Sequence, residues 1–280
     1  MSTEAPATTP WYRRLPAARV LRDGHVLYWW VEIAAILVFY LVYSAIRNAD
    51  AAHPEAAYEH ARQLIEWQKA LGIYHEKAIH DWARQFTPLI IGANYFYGSL
   101  HFVATIGVAV YLFKVWPDDY PRWRNTLAIA TLVALIGFRF WPLMPPRLLD
   151  NPLYRDYHPG VTYGFVDTLD QYPTFWTFNS GAMKSLSNQF AAMPSVHCAW
   201  ALWCACALVP RLRRNWMKWL AGLYPAMTVF VIVVTANHYF LDAVGGFTIL
   251  GIGYVLARVL TRAGRGPAVV EAEEPVPVPP

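Results

Sequence analysis

MKWLAGLYPAMTVFVIVVTANHYFLDAVGGFTILGIGYVLARVL, residues 217–260, decides the fold class. Two apolar runs, Met217 to Ala236 and Tyr239 to Leu260, are parted only by Asn237 and His238. Each has the length of a membrane-crossing helix, about 20 mostly apolar residues. The polar pair between them therefore marks a chain reversal at a membrane surface. Four further runs continue the pattern toward the N-terminus: Tyr28 to Ile46, Gly92 to Phe113, Thr126 to Trp141 and Ser195 to Val209. The third and fourth spans in chain order, Thr126 to Trp141 and Ser195 to Val209, are short and carry polar residues. The expected fold class is all-α: a polytopic membrane protein with six transmembrane helices.

Composition points the same way. Of 280 residues, 56% are hydrophobic, 16% aromatic and only 15% charged, against about 25% charged in soluble domains. Disorder, a coiled coil and an ordinary soluble domain are excluded by this balance. A net charge of +4 is too small for a nucleic-acid binder. Cys198, Cys204 and Cys206 share one apolar run without metal-like spacing and read as buried packing residues. Trp29, Trp30, Trp116, Trp123, Trp216 and Trp219 flank the runs as an interfacial belt would. The first run is long enough to stay in the membrane, so no cleaved signal peptide is expected.

Fourteen of the 23 Lys and Arg fall in the short segments before the first span and after the second, fourth and sixth. The positive-inside rule then places both termini in the cytoplasm of a multi-pass cell-membrane protein, with two long loops outside. Residues 1–27 form a cytoplasmic segment, 28–263 the membrane domain, and 264–280, rich in Pro and Glu, a disordered tail. The outer loop 47–86 reads as amphipathic helix, with Leu64, Trp67, Leu71 and Ile79, Trp82, Phe86 in stripes and Glu66, Lys69, Glu76 and Asp81 on polar faces. It either lies on the membrane or packs on the protein's own loops. The outer loop 143–193 is rich in aromatics, Pro and Asn, as an ordered cover for a site would be.

Nine histidines are present, without HExxH or a close pair, which argues against a zinc protease or a di-iron desaturase. Most sit in loops or on amphipathic faces and read as solvated. Two differ. His197, in Pro194-Ser195-Val196-His197, opens the fourth span, where free backbone N–H groups and the helix dipole favour an anion and Ser195 adds a hydroxyl. His238 opens the sixth span, and Asp242 follows one turn later on the same face, where a carboxylate orients an imidazole. Arg147, after Pro145-Pro146, and Arg139, near the end of the third span, supply cations on that side. Asn94, Tyr97 and His101 share one face of the second span, lining a polar cavity or bonding a neighbouring helix. Two histidines, a carboxylate, arginines and a helix N-terminus form a set suited to phosphoryl transfer without a metal.

These motifs resemble the type 2 phosphatidic acid phosphatase superfamily. Its three motifs appear as Arg139 to Arg147, Pro194-Ser195-Val196-His197 and His238 to Asp242. The wording Pro-Pro-Arg, Ala-Ala-Met-Pro-Ser-Val-His and Asn-His-Tyr-Phe-Leu-Asp is similar to the inositol phosphorylceramide synthase-like inositolphosphotransferase branch. The resemblance covers roughly Asn94 to Gly246. It implies six helices around an extracytoplasmic active site and no cofactor or metal. It also implies His238 as nucleophile through a phosphohistidine, Asp242 as its orienting partner and His197 as general acid. Ser195, Arg147 and Arg139 would hold the phosphate. Ile232 stands where the family often has an arginine, and the Arg139 to Arg147 spacing is one residue wider than usual.

The implied partners are a membrane lipid phosphate and an acceptor alcohol or water. A lipid phosphate phosphatase is the alternative, since the same phosphoenzyme would serve both. A lipid transporter or binding protein would use Arg139, His101 and Asp242 as a polar pathway. Against it, the chain shows no repeated halves, and its polar residues gather at one face.

Overall fold

The computed structural model describes residues 18–49, 53–157, 159–172, 174 and 189–263. The two tails expected to be cytoplasmic or disordered lie largely outside these residues. A small antiparallel hairpin, β1 (Ala18–Val20) with β2 (Val26–Tyr28), precedes the first helix and departs from a purely helical expectation. It includes Tyr28, which the apolar run alone assigned to the first span.

The described helices are α1 (Trp29–Ala49), α2 (Pro54–Ala70), α3 (Glu76–Arg84), α4 (Thr87–Tyr95), α5 (His101–Val115), α6 (Tyr120–Phe140), the short α7 (Thr168–Gln171), α8 (Val196–Leu208), α9 (Asn215–Val234) and α10 (Phe240–Ala263). Among the described residues, four stretches are long and apolar enough to cross a membrane: Trp29–Ile46, Thr87–Val115, Asn215–Val234 and Phe240–Leu260. The other two expected spans are also helical. However, α6 carries Arg122, Arg124 and Arg139, and α8 has only 13 residues before a 3₁₀ turn at Val209–Arg211.

Helix α8 is central and packs on α5, α6, α9 and α10. Trp203 donates its indole N–H to the Trp123 carbonyl (2.8 Å), and Trp200 donates to Thr131 Oγ1 (3.0 Å). Trp123 is thus buried in the core, whereas the other five belt tryptophans are exposed. Cys198 and Cys204 are buried as expected, but Cys206 faces outward. Helix α1 presents most of its apolar side chains outward. Its Glu32 turns inward, accepting hydrogen bonds from Tyr120 (3.0 Å) and Arg124 (2.6 Å).

Glycines set the closest approaches. A Cβ on Gly253 would lie 2.7 Å from the Thr126 carbonyl oxygen of α6, and one on Gly246 2.3 Å from the Ser195 carbonyl oxygen. No side chain fits at either distance, so α10 seats on α6 and on the start of α8 through bare backbone.

A second core sits where the long loops meet. Ala57, Tyr58, Ala61, Leu64 and Ile65 of α2 bury against Leu143, Met144, Leu148, Leu149, Phe165 and Phe190. Of the two placements expected for this segment, α2 therefore packs on the protein's own loop. The expected stripe splits: Leu64 is buried, while Trp67 and Leu71 remain exposed, as do Trp82 and Phe86 on α3 and just beyond it. Trp67 and His60 both stack on Trp141 (5.7 and 4.0 Å between ring centroids). The loop itself holds 3₁₀ turns at Pro146–Leu148 and Pro152–Tyr157, then α7.

Candidate active site

The site forms where α8 and α10 begin. Ser195 is the N-cap of α8, its Oγ accepting the Cys198 N–H (3.4 Å). Capping meets one of the amides a helix start leaves without an acceptor. The Ser195 N–H donates to the Asp242 carbonyl (2.9 Å), which ties the start of α8 to the first turn of α10. Gly137 and Gly245 let Pro194 approach; a Cβ on them would lie 2.4 and 3.1 Å from its ring.

Between α9 and α10 the chain reverses through Ala236, at φ 53°. That left-handed conformation is uncommon for a residue with a side chain. The Asn237 and His238 amides both donate to the Ile232 carbonyl (2.9 and 3.2 Å), closing a tight turn. Ile232 is fully buried among Cys198, Val233 and Ala243, so the position where the family often has an arginine is apolar packing here.

His238 Nδ1 lies 2.9 Å from the Ala192 carbonyl oxygen and 3.2 Å from Asp242 Oδ2. A carbonyl only accepts, so Nδ1 carries the proton and Nε2 presents its lone pair. Asp242 Oδ2 also accepts the Tyr239 N–H (3.0 Å). Asp242 is fully buried, and among the described residues its Oδ1 has no hydrogen-bond partner. The His197 and His238 rings stand 5.7 Å apart at 62°. His197 also stacks on Tyr97 (4.3 Å, 19°) and lies 4.2 Å from the His101 ring.

Arg147 reaches the same turn. Its backbone N–H donates to the Ala236 carbonyl (2.8 Å), and its Nε donates to Asn237 Oδ1 (3.0 Å). Nη1 pairs with Asp167 (2.5 Å), the N-cap of α7. Among the described residues Nη2 makes no hydrogen bond, which leaves one edge of the guanidinium for an anion.

The structure thus brings together His197, His238, Asp242 and Ser195, with Arg147 joined through Asn237. None of these contacts includes Arg139. It is exposed in the last turn of α6, with its guanidinium over the Phe140 ring (6.0 Å). Asn94 also departs from its expected face-mates, bonding Thr168 and the Tyr172 carbonyl, whereas Tyr97 and His101 meet His197.

Two buried polar residues of α3 overturn the solvated reading. Glu76 is fully buried. Its Oε1 accepts the Phe240 N–H (2.9 Å) and the Gln68 Nε2–H (2.7 Å), while Gln68 Oε1 accepts the Leu241 N–H (3.2 Å). Two side chains from α2 and α3 thus cap α10 immediately after His238. Burial pushes the Glu76 carboxyl above its ordinary range, partly offset by the bonds it accepts. His80 is also fully buried, donating from Nδ1 to the Val234 carbonyl (2.8 Å) and accepting the Val166 N–H at Nε2 (3.3 Å). Burial pulls its pKa down. Sequence reading assigned α3 one buried stripe, but α4 and α9 both pack on this helix, and the loop at Val166 reaches His80.

The sequence profile of the PAP2 superfamily matches residues 62–256. No curated protein and no solved structure matches the chain. The matched stretch runs from α2 into α10 and holds the histidine pair, Asp242, Arg147 and the Gln68–Glu76 cap. Because it spans more than half of the chain and every contact of the site, the chain belongs to the PAP2 superfamily.

Proposed function

We propose that this protein is an integral membrane lipid phosphotransferase acting through a phosphohistidine on the extracytoplasmic side. The observation that carries the reading is His238. Its Nδ1–H is committed to Ala192 and Asp242, which leaves the basic lone pair on Nε2, and the ring stands 5.7 Å from that of a second histidine. In the first half-reaction His238 Nε2 attacks phosphorus. The bond to the lipid oxygen breaks, and His197 gives that oxygen its proton. In the second half the acceptor hydroxyl loses its proton to His197 as its oxygen attacks phosphorus, and the bond to His238 breaks. Asp242 stabilises the charge on His238, while Arg147, Ser195 and the α8 N-terminus hold the phosphate oxygens. Arg139, in the last turn of α6, is a further cation for the phosphate.

The membrane reading has six spans, α6 and α8 included, with both termini cytoplasmic and the loops 47–86 and 143–193 outside. Family membership supports lipid phosphate chemistry. The wording of the motifs supports the inositolphosphotransferase-like branch, in which the acceptor is a lipid alcohol.

The test is mass spectrometry of products formed by purified protein in mixed micelles. Donors are phosphatidic acid, an isoprenyl phosphate and phosphatidylinositol, each with and without a ceramide or diacylglycerol acceptor. The expected product is a transferred head group that vanishes in His238→Ala. Free phosphate alone, dependent on His238, would instead identify a lipid phosphate phosphatase.

A further inference from the structure

We propose that His101, with Tyr97, is a positioning residue for His197. The proposal rests on the reading of His197 as the general acid. Between α4 and α5 the helix widens into a π-turn at Phe96–Leu100. Such turns insert one extra residue and re-aim the side chains around them. Here the turn contains Tyr97 and ends immediately before His101.

His101 Nδ1 lies 3.0 Å from the Tyr97 carbonyl oxygen. An acceptor there places the proton on Nδ1 and a lone pair on Nε2. The imidazole is therefore fixed in tautomer by the backbone of the same π-turn. It is 8% exposed, with Phe102 (3.9 Å) and Trp200 (5.9 Å) against it, which limits rotation of the ring.

His197 meets both of these residues as well as the nucleophile. Tyr97 lies nearly parallel to its ring at 4.3 Å, His101 is tilted by 57° at 4.2 Å, and His238 is edge-on at 5.7 Å. Tyr97 also comes within 6.2 Å of His238, so one phenol ring touches both members of the pair. A phenol face accommodates an imidazolium as well as a neutral ring. The two contacts therefore hold His197 in one place through both halves of the reaction, protonated before the lipid oxygen leaves and neutral afterwards. His238 is oriented by a carbonyl and a carboxylate, and the rings of Tyr97 and His101 face His197.

The experiment compares two donors that differ in their need for an acid. Dihexanoyl phosphatidate releases an alkoxide that must be protonated, whereas p-nitrophenyl phosphate releases a stable phenolate. His101→Phe keeps an aromatic ring and loses both nitrogens. It should lower turnover of dihexanoyl phosphatidate by about tenfold or more, within the range of general-acid effects, and change p-nitrophenyl phosphate turnover less than about threefold. Tyr97→Leu should show the same bias, and His197→Ala a larger one. His101→Asn keeps a donor for the Tyr97 carbonyl and guards against misfolding: it too should show the bias, with an unchanged melting midpoint. Equal losses on both donors in all these variants would overturn the proposal and make His101 a packing residue. His238→Ala should abolish both activities, and turnover surviving in it would remove the mechanism beneath the proposal.

Discussion

His80 shows what one buried side chain does to the whole. Both ring nitrogens are committed, Nδ1 as donor to Val234 and Nε2 as acceptor from Val166, so a second proton has no place. Its folded-state pKa is depressed below the ordinary 6.5. The unfolded chain therefore takes up that proton first. The stability His80 contributes is complete above pH 6.5 and is lost as pH falls from there through the depressed value. Thermal unfolding in detergent between pH 5 and 8 should show a midpoint that drops on acidification. In His80→Gln, which retains a donor and an acceptor, the drop should be shallower even if the neutral midpoint is lower. His238 and Asp242 were legible in the sequence because their geometry is local, one helical turn apart. Gln68, Glu76 and Asp167 were not. Glu76 meets Phe240 across 164 residues, and Gln68 meets Leu241 across 173. Nothing in their local pattern separates a buried cap from a solvated polar face.

Among the elements, α10 bears the most constraint, and its glycines divide into two kinds. A Cβ at Gly246 would fall against the Ser195 carbonyl and also 3.3 Å from the Ala199 amide, both backbone atoms of α8. At Gly251 a Cβ would meet nothing within 4 Å. Gly246→Ala should therefore force α8 and α10 apart, destabilising by about 1–3 kcal/mol as overpacking does. It should also lower turnover, because the separation falls between His197 and His238. Gly251→Ala should be neutral or stabilising by up to about 1 kcal/mol, since alanine favours a helix over glycine. Denaturation midpoints and turnover of the two variants, measured side by side, check both statements. The apolar runs made the helices predictable. Which glycines face a neighbour depends on tertiary placement. The π-turn in the second span was hidden for the same kind of reason: its composition is that of the helix around it.

For the whole molecule, the sequence disclosed more about the helices than about their cover. All six apolar runs are helical except at their ends, and the hydropathy that marks them is a sum over many residues, tolerant of local detail. The core that joins α2 to the loop after α6 pairs residues far apart in the chain, so the sequence shows which residues are apolar but not what they meet. The proposed sidedness has a direct consequence. In intact cells, Glu66→Cys on the exposed face of α2 should react with a membrane-impermeant maleimide, and Arg213→Cys between α8 and α9 only after permeabilisation. Native cysteines would be replaced first, since Cys206 is exposed. The opposite labelling pattern would invert the topology. The cap on α10 also bears on how the protein is made. Gln68 and Glu76 leave the ribosome long before Phe240 and Leu241, the amides they secure. During synthesis their polar groups wait for the final helix, and His238 and Asp242, at its start, are the last residues of the proposed site to be translated. On the proposed mechanism, a nascent chain that ends with α9 lacks its nucleophile and cannot yet react with a lipid phosphate.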